Sequence, residues 1–369
     1  MATKNRRRAG LASVLLFSIL VLGGASPATT QQRPAAPATR SPAVLEKWNL
    51  WTNGTVLRGA NVYQQDESLN DIGGRFGPHL VREDLRALRS AGANYVNFSV
   101  PGIFHVKSNG PWPEMAAHLE TMVSWARAEN LFVVISVRTG PGRGEGDITP
   151  DEGGLKDRSV FNDTLKQAAW AEMWKQIARR YGAEPHVVGF DLMVEPHDVP
   201  RAEWRAFAQR MVDSIRSVDS VTPILVSPAE DWGTVSDLVG WTPINGQRIV
   251  YTVHQYEPRR YTHGRARSYS HAALAELYRQ MRTWLTHNPG QRLAVNEFGV
   301  KKHKPHADQF LVDQLRLLEQ LGVNHAAWLW EVSDTTDPSY APQFDFKRVP
   351  AQMQAFRDNW RRNTVFPPP

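Results

Sequence analysis

A (β/α)8 TIM barrel of the α/β class, forming one catalytic domain, is the fold this sequence predicts. Three observations predict it. Eight short apolar runs recur along the chain, amphipathic helical stretches follow most of them, and the repeating unit is roughly 30–45 residues long, as in a closed parallel barrel. The competing arrangement is an open doubly wound sheet. That fold wants a glycine-rich phosphate loop after its first strand, and Arg58-Gly-Ala-Asn is not one.

The N-terminus precedes the barrel. KNRRR is a basic segment, LASVLLFSILVL is an apolar run of twelve, and GGAS supplies small residues for cleavage, so residues 1–26 read as a signal peptide. The run falls short of the about 20 residues a membrane span needs, so no stable membrane insertion is expected once the signal is cleaved, and the protein is expected to be secreted or periplasmic. An uncleaved N-terminal anchor is the minority reading. Residues 27–47 are Pro/Ala-rich and read as a linker, and 48–365 as the barrel domain. The formal charge of +6 belongs to this tail. Residues 1–40 carry six Lys or Arg and no acid, and removing these leaves 37 basic and 37 acidic residues. A neutral body argues against a nucleic-acid partner. The absence of cysteine removes disulfides, thiolate catalysis and thiolate metal ligands together.

The barrel elements follow in order. WNLWTNG, with its Asn-Gly pair, suggests a small hairpin closing the barrel floor. The predicted strands are 55–63, 94–100, 132–139, 187–195, 223–228, 249–256, 293–299 and 325–332. Between them, Trp170, Trp174 and Ile177 fall at helical spacing, as do Leu80, Leu85 and Leu88 on one side of their stretch. The fifth unit has only a short helical piece near Ser236–Val239. The loop from Gly140 to Asp163 is long and glycine-rich, suited to folding over a ligand. Its acids match no calcium motif, and KKHKPH at 301–306 reads as a solvated loop rather than a metal cluster.

Active sites of such barrels lie at the C-terminal strand ends, which turns the fold into a filter. Strand four ends in Glu195, strand six in His254 and Tyr256, strand seven in Glu297, strand eight in Trp330 and Glu331, and strand three in Arg138. The two glutamates lie 102 positions apart, about three units, on opposite walls of one mouth. Two carboxylates facing across a pocket, one protonated and one ionised, are the equipment of glycoside hydrolysis, which requires no metal and no cofactor. A metal-dependent hydrolase would need clustered His or Asp at the strand ends, and only His254 qualifies. Trp112 and Trp232, after strands two and five, stand where outer sugar subsites or simple packing would place them. Asp191, four residues before Glu195, faces the interior, and Arg58 is its expected partner.

FDLMVEP, VHQY, NEFG and AWLW, in this order and spacing, resemble glycoside hydrolase family 5, the cellulase family, in a divergent form. RGANVY and SAGANYV add to the likeness, which covers most of residues 48–340. The resemblance implies a retaining (β/α)8 enzyme with Glu195 as acid/base and Glu297 as nucleophile. It implies that Tyr256 supports the nucleophile, that His254 lies near the acid/base and the sugar, and that Trp330 stacks on the sugar, with Trp328 as the deeper core residue. Three positions depart from the family pattern. Val194 stands for an asparagine that bonds the sugar 2-hydroxyl, Asn97 for an arginine that holds the nucleophile, and Arg138 for a histidine. Arg138 is the candidate to replace the missing arginine and keep Glu297 ionised. The implied substrate is a poly- or oligosaccharide, foremost a β-1,4-glucan cut internally. A β-mannan, an exo-acting β-glucosidase activity, or a carbohydrate-binding barrel with impaired turnover are the alternatives.

Overall fold

The computed structural model describes residues 46–66, 76–77, 80–148, 154–330 and 343–368. The expected signal peptide, nearly all of the linker, and Glu331 lie outside the described residues. Eight parallel strands close on themselves in sequence order: β1 (Arg58–Tyr63), β2 (Tyr95–Val100), β3 (Phe132–Val137), β4 (Val187–Asp191), β5 (Ile224–Val226), β6 (Ile249–Gln255), β7 (Arg292–Phe298) and β8 (Asn324–Ala327). Around them, among the described residues, run helices α1 (Arg82–Ser90), α2 (Pro113–Ala128), α3 (Thr164–Tyr181), α4 (Arg201–Arg216), α5 (Val235–Leu238), α6 (His271–His287), α7 (Ala307–Leu321) and α8 (Pro350–Trp360). The fifth unit is the short one, as its sequence suggests.

The helices form where their apolar stripes fit the barrel wall. In α3, Asp163 caps the N-terminus by accepting from the Leu165 amide at 2.9 Å, and Trp170, Trp174 and Ile177 are buried against the sheet. Strand alternation sorts the remaining side chains. Val96, Phe98 and Val100 face the helices, while Tyr95, Asn97 and Ser99 face inward.

The interior is layered. Its floor is apolar, built from Leu57, Tyr95, Phe132, Val134, Leu225 and Val250. Trp51 closes it from below, 5% exposed, with its indole N–H donating to the Val188 carbonyl at 3.0 Å. The WNLWTNG segment that carries Trp51 is helical rather than a hairpin: a 3-10 turn, Glu46–Trp48, runs into a helical turn, Asn49–Thr52. The Asn53-Gly54 pair ends this helical turn, with Gly54 at φ +74°, instead of reversing a hairpin.

Above the floor lies a polar layer. Asn97 donates to Asn61 and accepts from Ser136, Asn296 donates to Asp191 at 2.8 Å, and Tyr95 donates to Asn296. The expected Asp191–Arg58 pair does not form. Arg58 begins β1 pointing outward, and its guanidinium forks onto Glu319 of α7 at 2.6 and 2.7 Å. Asp191 is instead fully buried among neutral donors, and burial raises it to about 6.

Trp51→Ala opens the floor and removes a buried indole. The expected cost is about 3–5 kcal/mol, measured as a lower urea midpoint at unchanged slope.

Candidate active site

The mouth is set by an irregularity in β7. Against β6, Val253 pairs with Val295 and His254 with Glu297; against β8, His325 pairs with Val295 and Ala327 with Phe298. Strand seven therefore carries one more residue than either neighbour. This bulge turns both Asn296 and Glu297 inward, where strict alternation would send one of them to the helices. Asn296 joins the polar layer and Glu297 rises into the mouth.

Glu297 meets the two groups that end β6. Tyr256 donates to its Oε2 at 2.9 Å, and His254 Nδ1 lies 3.4 Å from the same oxygen. The other oxygen, Oε1, is buried and has no hydrogen-bond partner. His254 Nδ1 also lies 3.0 Å from Glu195 Oε1. One donor atom from each of Glu195, His254 and Glu297 lies within 4.8 Å of the others. The same three form the one group among the described residues compact enough to share a metal ion.

Glu195 stands on a turn rather than on a strand. Strand four stops at Asp191, and the chain then runs irregularly, with the Leu192 carbonyl taken by the indoles of Trp170 and Trp174 at 3.3 and 2.9 Å. Glu195 itself has φ +49°, a left-handed conformation that a non-glycine residue adopts only when its surroundings impose it. Arg143 imposes it. Its buried guanidinium donates to the Val194 carbonyl and to the Glu195 carbonyl, the latter at 2.7 Å, and its Nε is held by Asp147 at 3.0 Å. His197 Nδ1 lies 3.0 Å from the Glu195 carbonyl and its Nε2 lies 3.4 Å from Asp147. A partly exposed Trp232 stacks flat on the His197 ring, centroids 3.6 Å apart. Arg143, Asp147 and His197 escape the strand-end filter because none of them ends a strand. The only sequence signal was an arginine embedded in an acid-rich glycine loop. In the structure the front of that loop, through the helical turn Glu145–Ile148, is buried as part of the mouth.

Arg138 is buried at the end of β3. It reaches Glu145 Oε1 at 2.7 Å and lies over the Tyr63 ring at 4.5 Å, while Tyr63 donates to the same Glu145 oxygen at 3.0 Å. Its ion pair is with Glu145. On Glu297 it acts through its field, lowering the carboxyl's pKa without touching it. Asn97 sits one layer below the mouth with its amide committed to Asn61. The two tryptophans that follow β8 exchange the places expected of them. Trp330 is buried outside the barrel, its indole donating to the Asp84 carbonyl of α1 at 3.1 Å and its rings packed on Phe346 and Trp360. The partly exposed Trp328 stands at the mouth, 5.5 Å from the Tyr63 ring and 5.7 Å from the Arg138 guanidinium. The strand ends at Ala327, so Trp328 is the first residue of the rim and Trp330 has already turned away. Trp112, 1% exposed and stacked on His105, is packing.

Charge in the mouth follows from this crowding. Burial works against the charged His254, but the Glu297 and Glu195 carboxylates outweigh it and lift the imidazole to about 9. Burial raises Glu297 to about 7, with the Glu195 charge adding to it and His254 and Arg138 opposing. For Glu195, burial is overcome by the hydrogen bond and charge of His254, and its carboxyl falls below the usual range. The field of the site thus favours a proton on the imidazole between the two acids. Burial and the Glu297 charge hold the Tyr256 hydroxyl well above its ordinary value, so it remains a donor.

A sequence model described as Cellulase (glycosyl hydrolase family 5) matches residues 61–334. Endoglucanase C of Acetivibrio thermocellus is 24% identical over 249 residues, covering 67% of this chain and 68% of its own. A probable glucan 1,3-beta-glucosidase A of Aspergillus fumigatus is 25% identical over 228 residues, 58% of this chain and 49% of its own. Among solved structures, endoglucanase Cel5A of Thermotoga maritima shares the fold with a TM-score of 0.68 at 19% identity, covering 84% of this chain and 99% of that one. Structures of that protein hold cellobiose and mannotriose.

Arg143→Lys keeps a cation but loses the fork that grips two consecutive carbonyls. The expected result is a fall in kcat on the order of a hundredfold, with a much smaller change in KM. Steady-state kinetics on a soluble β-glucan read both, and an equal loss in the two parameters would contradict a positioning role.

Proposed function

The chain belongs to glycosyl hydrolase family 5, the cellulase family, and from that premise we propose that it is an exported, retaining endo-β-1,4-glucanase. The observation that carries this reading is the asymmetry of Glu297. One oxygen is fixed by Tyr256 and His254, while the other is left without a partner, with an oxygen of Glu195 within 4.8 Å of the site's other donor atoms. A nucleophile and an acid/base that share one sugar stand about 5–5.5 Å apart, whereas an inverting pair must leave room for water at about 6.5–9.5 Å.

In the proposed reaction Glu297 Oε1 attacks the anomeric carbon. The bond to the glycosidic oxygen breaks, and that oxygen takes a proton from Glu195. Glu195 draws this proton from His254, across the 3.0 Å between Nδ1 and Oε1. Water, deprotonated by Glu195, then displaces Glu297 and releases the sugar. Trp328, beside Tyr63 and Arg138, is the aromatic platform for the sugar ring. His254 Nε2 is buried without a protein partner, a further polar atom of the site. Endo action on β-1,4-glucan is favoured by the endoglucanase relatives. A β-mannan is the next substrate, in view of the mannotriose held by a protein of the same fold. Export rests on the basic, apolar and small-residue segments of residues 1–26.

The test is hydrolysis of amorphous cellulose and β-mannan by the protein lacking residues 1–26. Viscosity should fall faster than reducing ends accumulate, with the first-formed product retaining β configuration by NMR. Glu297→Gln should lower the rate at least about 10⁴-fold. Binding of glycan without any release by either protein would assign a carbohydrate-binding barrel instead.

The pH dependence follows from the buried acids. Glu297 must be ionised, so kcat/KM rises as pH passes upward through about 7, and the His254–Glu195 pair must keep its proton, so kcat/KM falls as pH rises through about 9. With a dinitrophenyl glycoside, whose leaving group needs no proton, the burst phase of Glu195→Gln should show its acid limb displaced downward, because a like charge has left the side of Glu297. An unmoved limb would contradict the coupling.

A further inference from the structure

The body of the chain, residues 41–369, is formally neutral, yet two adjoining loops of the mouth are strongly basic. The loop after β6, residues 257–270, and the loop after β7, residues 299–306, together hold seven Lys or Arg against one carboxylate, Glu257. Glu257 is engaged locally, accepting from the Arg259 amide at 2.8 Å. The two loops form one rim. Lys304 reaches across to the carbonyls of Gly264 and Ala266 at 2.8 and 2.6 Å, and the Lys301 amide donates to the Thr262 carbonyl at 3.2 Å. The rim is continuous with the catalytic wall. Thr262 donates to the Tyr256 carbonyl, and the His263 ring lies 5.0 Å from the Tyr256 ring, whose hydroxyl holds Glu297. Arg259 is close enough to help lower the Glu195 carboxyl, and Lys301 close enough to help lower His263.

Elsewhere on the molecule many guanidinium groups are spent on carboxylates, as in Arg82 with Glu129 or Arg201 with Glu230. Among the described residues, Arg259, Arg260, Arg265, Arg267, Lys301 and Lys302 make no ion pair. Asp308, at the start of α7, is the next acid along the chain. Like charges gathered without partners cost stability through repulsion. Held together beside a polymer-binding cleft, they form a strip that an anion along the polymer would neutralise.

We propose that this rim selects a carboxylate-bearing β-glycan, whose acidic substituents on sugars flanking the cleaved bond are held by Arg259, Arg265, Arg267 and Lys302 while the glucan backbone passes Glu195 and Glu297. The proposal rests on the hydrolase reading above and adds the charge class of the substrate. The partner is a polyanionic glycan because the rim adjoins the catalytic wall, so whatever neutralises it lies in line with the chain being cut.

The experiment compares carboxymethyl cellulose with neutral hydroxyethyl cellulose at about 0.01 M and about 1 M salt, with wild type and with the Arg265→Ser/Arg267→Ser/Lys302→Ser variant, whose fold is checked by a circular-dichroism melt. Wild type should favour the carboxymethyl polymer by about tenfold in kcat/KM at low salt and lose the advantage at high salt. The variant should lack the advantage at both. In parallel, the catalytically silenced Glu297→Gln protein should be retarded in gels by the carboxymethyl polymer more than by the neutral one, and only at low salt. If neither polymer is cut, the hydrolase reading falls, and the retardation still decides the rim. A wild type blind to the carboxylate, a variant that keeps the preference, or retardation by duplex DNA with no effect of carboxylate on cutting each overturns the proposal.

Discussion

Two carboxylates brought within 4.8 Å in a buried pocket repel each other. At an effective dielectric of about 20 the cost is about 3–4 kcal/mol, and desolvation adds to it. The rest of the mouth is arranged around this constraint. One cation between the two acids relieves it best, and His254 supplies that cation from a single atom, Nδ1, at 3.0 Å from Glu195 and 3.4 Å from Glu297. An arginine in the same place would quench both acids for good. An imidazole, lifted to about 9 by its neighbours, quenches them while still able to give up its proton.

The layers below serve the same end. A charged mouth cannot sit directly on an apolar floor, because the polar backs of its side chains would be left unpaired. The amides and hydroxyls of Asn61, Asn97, Ser136 and Asn296 fill the gap and bond to one another and to Asp191. Asp191 lies among them, where burial raises its carboxyl to about 6 against the opposing field of His254 and the hydrogen bonds of Ser136 and Asn296. Arg138, held by Glu145 and faced by Tyr63, adds a positive field to the pocket without spending a hydrogen bond on either acid of the pair. Rigidity at Glu195 and charge at Glu297 thus come from different arginines on the same side of the mouth.

Much of this arrangement was legible in the sequence. The eight apolar runs fall on the eight strands, and Glu195, His254, Tyr256 and Glu297 meet because strand-end position is a property of the fold class. What was hidden turns on breaks in periodicity and on contacts through loops. A period of two cannot announce the extra residue that turns Asn296 and Glu297 the same way. Nor can it show that β8 stops at Ala327, which places Trp328 rather than Trp330 at the rim. Arg58 looked like a partner for Asp191 because both lie on strands, but the first residue of β1 faces α7. Arg143 was invisible as a functional group because what it binds is two backbone carbonyls, which leave no mark on residue identity.

That last contact bears on the residue before Glu195. The family pattern has an asparagine at position 194, where this chain has valine. Val194 is instead 1% exposed, its amide donates to the Val137 carbonyl at 2.9 Å, and its carbonyl is taken by Arg143. The conformation of Glu195 is therefore enforced through the backbone, and position 194 is free to be apolar without loosening the catalytic turn. A valine side chain also has no donor to offer a hydroxyl. Around the pair the mouth is lined instead by Trp328, Tyr63 and Arg138, and His254 Nε2 is buried without a protein partner. An apolar side chain at position 194 is in this way compatible with a fixed Glu195, because Arg143 grips the carbonyls of both residues rather than their side chains.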